Sequence, residues 1–510
     1  MKFTKTLMAL GMLSQFTVAN AAHAECSVAT DLNNGAICSI TATRAGSIGV
    51  GQVKFFPAYG GTLTNDEDQA VLNKLLIVDL GWGMDVATPQ DYGFGNLLSN
   101  GVSVLMVSRQ ASTEDSVQDH AYVLEDVLRF ISDYRDDTKK MVVTGFSLGG
   151  VAARYALADM EEIGEPHNVS LYVSFDTPHR GIHVPQSVQL TAPVFNEYVS
   201  ALLAAATSAN AIQTQLGMPA LLLDVANKLA VVKQTTIDAM NYTIDSKVIG
   251  QLAIDNIMRP ADHEEFMTDL HANGLPGSNG YPINLRKIAV SAGSYAVPQT
   301  LPLHDLAANP NNPNGANNAY YSFNGEKGST NVYAFLKFNA FPTAASNLAI
   351  DANAGAIGTF TTTYRCFFFF TCKLNNTTTI AIPKSRYSEL EASAFDRVPG
   401  SYYDWGQYVD AFSRDPRIAA TFTKSLKYTN KSVPGTEIKL TLVPTFSAFD
   451  VDPNVDGTVN IAGGIAEDVI GSPFEKTIYI NYAGTSNRSH AHAFYLEDHV
   501  VDEINTGFTN

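Results

Sequence analysis

The segment that constrains this chain most is Gly145-Phe146-Ser147-Leu148-Gly149, because of what stands on either side of it. Lys140-Met141-Val142-Val143-Thr144 is apolar enough for a strand buried on both faces, and Val151 to Met160, rich in Ala and Leu, reads as a helix. A strand that passes directly into a helix must turn sharply. Glycines flank Ser147 because such a turn brings the two backbones too close for side chains. The helix start then directs its N-terminus at whatever sits above Ser147.

The same strand and helix alternation extends around this turn. Lys74 to Leu80, Gly101 to Val107 and Val169 to Phe175 are further short apolar runs, and Val123, Val127, Phe130 and Ile131 recur at helical spacing between Asp115 and Tyr134. Strands alternating with helices imply right-handed βαβ units and a doubly wound, mostly parallel α/β sheet. The expected division is a core over residues 25–181, a helical insertion over 182–285, a core strand and loop over 286–328, a β-rich insertion over 329–430 and a C-terminal core part over 431–510. The helical insertion is Ala/Leu-rich. The β-rich one is marked by Thr, Phe, Tyr and Asn. Strand signals return at Lys287–Ser291, Ile438–Val443 and Thr477–Ile480, and Asp498–Ile504 reads as a last helix.

Residues 1–24 stand apart. Lys2 and Lys5 precede an apolar run from Leu7 to Val18, and Ala22-His23-Ala24 matches a small-x-small cleavage pattern, so a signal peptide and export are expected. Removing this segment takes away two lysines and no acid, which moves the net charge from −17 to −19. An acidic surface without a basic cluster repels phosphates, so nucleic acid is excluded as a partner. The four cysteines suggest two local disulfides, Cys26–Cys38 and Cys366–Cys372. No Cys-x-x-Cys and no histidine cluster accompanies them, so no metal site is expected. The loop Asp450–Asp456 is acidic but lacks calcium-loop spacing.

Ser147 is the candidate nucleophile. A serine hydroxyl needs a base to remove its proton and an acid to orient that base. The C-terminal histidines His490 and His492 are the candidate bases, and His492 is preferred because an apolar segment and then a helix follow it closely. Asp450 is the first candidate acid and Asp176 the second, with Asp452 and Asp456 behind them. Backbone N–H groups of Trp82 and Leu148 are the candidate oxyanion donors, because Gly81-Trp82-Gly83 follows an early strand and Leu148 follows the serine.

These segments resemble the lipase/esterase branch of the α/β-hydrolase superfamily. Gly145-Phe146-Ser147-Leu148-Gly149-Gly150 matches its nucleophile elbow; Leu80-Gly81-Trp82-Gly83 stands where many such lipases have His-Gly-x-Gly, with leucine in place of histidine. Thr177-Pro178-His179-Arg180-Gly181 resembles a Pro-His-x-Gly loop, and His492-Ala493-Phe494-Tyr495-Leu496 resembles the terminal histidine segment. The resemblance covers about half the chain and leaves the two insertions out. It implies an α/β-hydrolase fold, a serine–histidine–acid triad, no cofactor, and a small-molecule or lipid ester as substrate. It also implies a lid over 182–285, where Leu202, Leu203, Leu221, Leu222, Leu223 and Leu229 offer apolar faces, the alternative being an ordinary helical cap packed on the core. Phe367 to Phe370, framed by Cys366 and Cys372, is a candidate lipid contact if it does not pack inward. The same triad serves acyl transfer and amide hydrolysis. A secreted binding protein on a hydrolase scaffold is the reading from a different class.

Overall fold

The computed structural model describes residues 36–59, 69–86, 89–109, 112–184, scattered positions between 189 and 238, 245–254, 256, 258–293, 321–328, 332–342, 347–367, 370–391, 400–404, 424–429, 439–452, 465–466, 469, 471–479, 489–490 and 498–509. Its central element is a nine-stranded sheet. In chain order the strands are β1 (Cys38–Thr41), β2 (Val50–Phe56), β3 (Leu75–Asp79), β4 (Ser103–Arg109), β5 (Met141–Phe146), β6 (Val169–Phe175) and β7 (Arg286–Ser291). After them come β8 (Tyr321–Gly328), β9 (Val332–Pro342), β10 (Asn347–Phe367), β11 (Phe370–Glu391), β12 (Gly400–Asp404), β13 (Lys424–Thr429), β14 (Lys439–Pro444), β15 (Ile465–Ala466) and β16 (Lys476–Tyr479).

The central sheet runs β1-β2-β4-β3-β5-β6-β7-β16-β15. The six strands from β4 to β16 pair in parallel, and β1, β2 and β15 attach antiparallel. Burial follows this arrangement. β3, β4 and β5 are buried at every residue, as parallel strands covered on both faces must be, while β2 alternates buried and half-buried positions.

The α-helices with described bounds are α1 (Gln69–Leu72), α2 (Gly95–Ser99), α3 (Val117–Ser132), α4 (Leu148–Glu162), α5 (Lys247–Leu252), α6 (Asp262–Ala272), α7 (Thr445–Ala448) and α8 (Asp498–Gly507). Val117, Ala121, Leu124, Leu128 and Ile131 form the buried stripe of α3, and Ser116 with Asp119 closes a capping box at its start. Leu75, Ile77, Leu105, Val107 and Val143 pack on the α3 and α4 side. Their strand neighbours Leu76, Val78, Val104, Met106 and Val142 pack with Leu97, Leu98, Val500 and Ile504 on the other. Successive residues of one strand thus feed opposite layers. A mostly parallel sheet with helices on both faces is consistent with the expected α/β-hydrolase fold.

The strand expected at Ile438–Val443 exists as β14, but it pairs with β12 in a separate two-stranded sheet instead of joining the central one. Strands β8, β9, β10, β11 and β13 form a five-stranded antiparallel sheet in the order β11-β10-β9-β8-β13. In its hairpin Cys372 lies opposite Tyr364, and Cys366 falls at the register shift between Arg365 and Phe367, so the two cysteines are not direct cross-strand partners. Cys26, Phe368, Phe369, His492 and most of the residues named for a lid, Leu202, Leu221, Leu222, Leu223 and Leu229 among them, lie outside the described residues. Among the described residues no helix is long and apolar enough to cross a membrane.

The chain leaves β3 toward β4 on one side and leaves β5 toward β6 on the other. The connections therefore diverge above the carboxyl ends of β3 and β5. This is the place in an open α/β sheet where a crevice opens. Leu80-Gly81-Trp82 and Ser147 both stand there.

Candidate active site

β5 ends at Phe146 and α4 begins at Leu148, so Ser147 alone makes the turn. Its backbone has φ 49° and ψ −123°, a conformation that costs a non-glycine residue of order 1–3 kcal/mol and is held only by firm surroundings. Those surroundings are backbone. The Ser147 N–H donates to the carbonyl of Phe175 on β6, at 3.0 Å. A Cβ on Gly149 would lie 2.3 Å from the carbonyl oxygen of Asp79, so α4 rests directly on the end of β3. The Ser147 residue is half-buried.

The loop after β3 touches the elbow. A Cβ on Gly81 would meet the Ser147 Cβ at 3.2 Å and the Met84 Sδ at 3.3 Å. Trp82 follows in the same tight turn, closed by the Met84 N–H on the Gly81 carbonyl at 3.2 Å. Leu148 is the first residue of α4, where N–H groups have no intrahelical acceptor.

Beneath this loop lies an ion pair that sequence reasoning missed. Asp79, wholly buried, meets Arg109 from the end of β4 through both guanidinium Nη atoms, one of them at 2.7 Å. Arg109 also donates to the His120 carbonyl from Nε at 3.0 Å and from Nη2 at 2.8 Å. Burial pushes Arg109 down to about 9; burial and the Arg109 charge push His120 down to about 3. The available signal was one acidic residue ending the apolar run Leu75 to Val78 and one basic residue ending Val104 to Val107.

Asp176 follows β6 as Ser147 follows β5. Phe146 and Phe175 are register partners, so the two residues leave adjacent strands side by side, both with positive φ. Asp176 is wholly buried. Its Oδ1 accepts the Ala292 N–H at 3.0 Å, and its Oδ2 faces the Nδ1 of His490 at 2.6 Å. The His490 side chain is 12% exposed, so this pair is not fully sealed from solvent.

Asp450, the first candidate acid, faces guanidinium groups and a phenol. The Tyr281 hydroxyl donates to its Oδ2 at 2.8 Å and Arg154 Nη1 reaches the same oxygen at 3.2 Å. Arg180 Nε stands 2.7 Å from Oδ1. Arg154 is wholly buried and also donates to the carbonyls of Gly280 and Asn279, both at 2.9 Å. Burial works against the Asp450 charge, but Arg154 and Arg180, with the Tyr281 hydroxyl, hold the carboxyl below the usual range. The carboxylate thus joins the helix that begins at Leu148 to the loop that follows Asp176. His179 in that loop is buried, shares a 2.8 Å hydrogen bond with Ser174 Oγ, and is pushed down to about 3 by burial and the Arg154 charge. Asp452 is exposed, and Asp456 lies outside the described residues.

Among the described residues no group of three or more His, Cys, Asp or Glu side chains is placed to hold a metal ion.

Residues 98–218 match the family described as "Putative serine esterase (DUF676)". That span is about a quarter of the chain; it includes Ser147 and Asp176 and ends well before His490. No curated protein matches. Among solved structures, lipase B of Aspergillus fumigatus is 21% identical over 22% of this chain and 26% of its own, with a TM-score of 0.19. Est1E of Butyrivibrio proteoclasticus is 11% identical over 27% of this chain and 50% of its own, at 0.20. An esterase of Pyrobaculum calidifontis is 17% identical over 36% and 53%, at 0.23. The chain therefore spans from about a quarter to about half the length of these structures. The strand order and the elbow, not these overlaps, carry the fold.

Proposed function

We propose that this chain is a serine hydrolase of carboxylic esters, with Ser147 as nucleophile, His490 as base and Asp176 as the acid that orients it. The observation that carries the reading is the 2.6 Å contact of His490 Nδ1 with Asp176 Oδ2, on the strand next to the elbow. A proton held on Nδ1 by the carboxylate leaves Nε2 free to accept one. Ser147 Oγ attacks the ester carbonyl while its proton passes to Nε2. The imidazolium then returns that proton to the departing alcohol oxygen, leaving an acyl-serine. Water repeats the two steps and releases the acid. The N–H groups of Leu148 and Trp82 are the proposed donors to the tetrahedral oxyanion. One such donor contributes about 2.7–4 kcal/mol to the transition state.

Asp450 has no orienting task in this scheme. Its two oxygens already face guanidinium groups and a phenol. The match to a serine esterase family over residues 98–218 supports the reaction class, and the proposed substrate is a small-molecule or lipid ester. Export is part of the proposal. It is supported by the basic and apolar pattern of residues 1–24 and by Cys38, which is disulfide-bonded and sits close in sequence to Cys26.

A fluorophosphonate probe and p-nitrophenyl esters of graded chain length test this reading. Labelling and hydrolysis vanish in Ser147→Ala. Hydrolysis is lost in His490→Ala and retained in His492→Ala. A folded sample that takes no label moves the chain to the binding-protein class, and retention of activity by His490→Ala transfers the base to another histidine.

A further inference from the structure

We propose that Ser401, delivered by β12, is a second positioning residue for His490; the proposal rests on the triad reading above. Ser401 Oγ lies 3.5 Å from His490 Nδ1, the same nitrogen that faces Asp176. Ser401 is wholly buried. A buried hydroxyl requires a partner, and the Nδ1–H of the imidazole meets that need as the longer arm of a shared hydrogen bond.

The backbone around Ser401 is built for this contact. Ser401 pairs with Val443 of β14, and the next residue, Tyr402, bridges in parallel to Ser489, directly before His490. Gly400 stands against Gly293: a Cβ on Gly293 would lie 2.5 Å from the Gly400 Cα and 2.4 Å from the Thr445 Oγ1. No side chain larger than hydrogen fits between these backbones. Gly293 directly follows Ala292, whose N–H holds Asp176 Oδ1 at 3.0 Å. The backbone that carries the hydroxyl therefore stacks on the backbone that binds the carboxylate.

The chemistry gives the hydroxyl a task. When the Ser147 O–H bond breaks and an N–H bond forms at Nε2, the ring gains a positive charge that Nδ1–H shares. The oxygen dipole of Ser401 favours that charged form, and its bulk limits rotation of the ring away from Asp176. In a desolvated setting such a dipole acts more strongly than it would in water. Residues 329–430, which resemble no part of the esterase core, would thus supply one group to the centre through their strand at Gly400–Asp404.

The test uses the whole protein and p-nitrophenyl acetate, with kcat and KM measured across pH and thermal midpoints measured alongside. In Ser401→Ala, kcat falls about three- to tenfold, the range expected for one hydrogen bond, while KM stays constant. The acidic limb of the kcat/KM profile moves to lower pH, because the imidazolium loses support. Ser401→Thr, which keeps the hydroxyl, restores both. An unchanged kcat and acidic limb in Ser401→Ala overturns the proposal, as does a kcat loss that follows the thermal midpoint with no shift of the limb. If the alanine variant does not fold, Ser401→Thr and Ser401→Cys decide: the thiol, a weaker dipole, shifts the limb and the hydroxyl does not, and equal limbs overturn the idea. His490→Ala separates the two readings. Its full activity sinks the triad itself, whereas its inactivity beside a normal Ser401→Ala sinks only the role of Ser401.

Discussion

Asp176 and Asp450 are alike in almost every local respect. Both are buried, both have positive φ (45° and 50°), and both follow the end of a secondary element. Their partners separate them. Asp176 faces one imidazole, which is 12% exposed and able to exchange protons. Asp450 faces Arg154 and Arg180, permanently charged groups that exchange none at ordinary pH. A buried carboxylate next to histidine can orient a base. The same carboxylate between guanidiniums can only hold parts together. Chemistry therefore depends on what lies opposite the acid more than on the acid or its backbone.

Substitutions at the two positions divide accordingly. The largest effect expected is on turnover. Asp176→Asn keeps the shape and lets Nδ1 take the wrong tautomer, lowering kcat by about 10⁴-fold, the loss seen when a triad acid becomes an amide. Ester hydrolysis and a melting curve measured together establish whether activity falls while the fold stays. Asp450→Asn should do the opposite. It leaves two guanidiniums without their counter-charge and costs about 3–5 kcal/mol of stability, read as a lower urea midpoint, with turnover per folded molecule close to that of the parent. If Asp450→Asn destroyed kcat in a stable protein, the two aspartates would exchange roles.

A smaller effect sharpens the Asp450 side. Tyr281→Phe removes the hydroxyl that donates to Asp450 Oδ2 at 2.8 Å. It should lower stability by about 1.5–3 kcal/mol, as loss of a hydrogen bond to a charged group does, without touching the pH profile of hydrolysis.

The gentlest test is acid. His179, beside this cluster, is lowered from 6.5 to about 3 by burial and by the Arg154 charge. Between those values the unfolded chain binds a proton that the folded chain refuses. Stability therefore falls as pH drops through that window, with a limiting slope of about 1.4 kcal/mol per pH unit for this one group. Urea midpoints at pH 7 and pH 5 measure the slope. His179→Gln should reduce it, and an equal slope in that variant would remove His179 as its source.

The pattern of apolar runs and helical stripes was enough to find β3, β4, β5, β6 and β7 to within a few residues, because strands buried on both faces read as nearly continuous apolar runs. The elbow was legible for the same reason. Glycines at 145 and 149 make sense only where a strand meets a helix at contact distance. The meeting of Asp176 with His490 was not legible. Asp176 and His490 are 314 residues apart in the chain, and proximity to a late strand favoured Asp450 over Asp176 and a following apolar segment favoured His492 over His490. Neither cue reports distance in space. The ion pair of Asp79 with Arg109 was hidden likewise, since its members close two different strands.

The sequence by itself determined which segments are strands and helices and where the sharp serine turn lies, because those properties follow from periodicity and from backbone sterics over a few residues. Only the tertiary structure decided which charges meet. Sheet register put Phe146 beside Phe175 and so Ser147 beside Asp176, and the contact of Gly293 with Gly400 brought β12 to His490. Such choices depend on how distant backbones stack, and partners hundreds of residues apart leave no periodic trace in the chain.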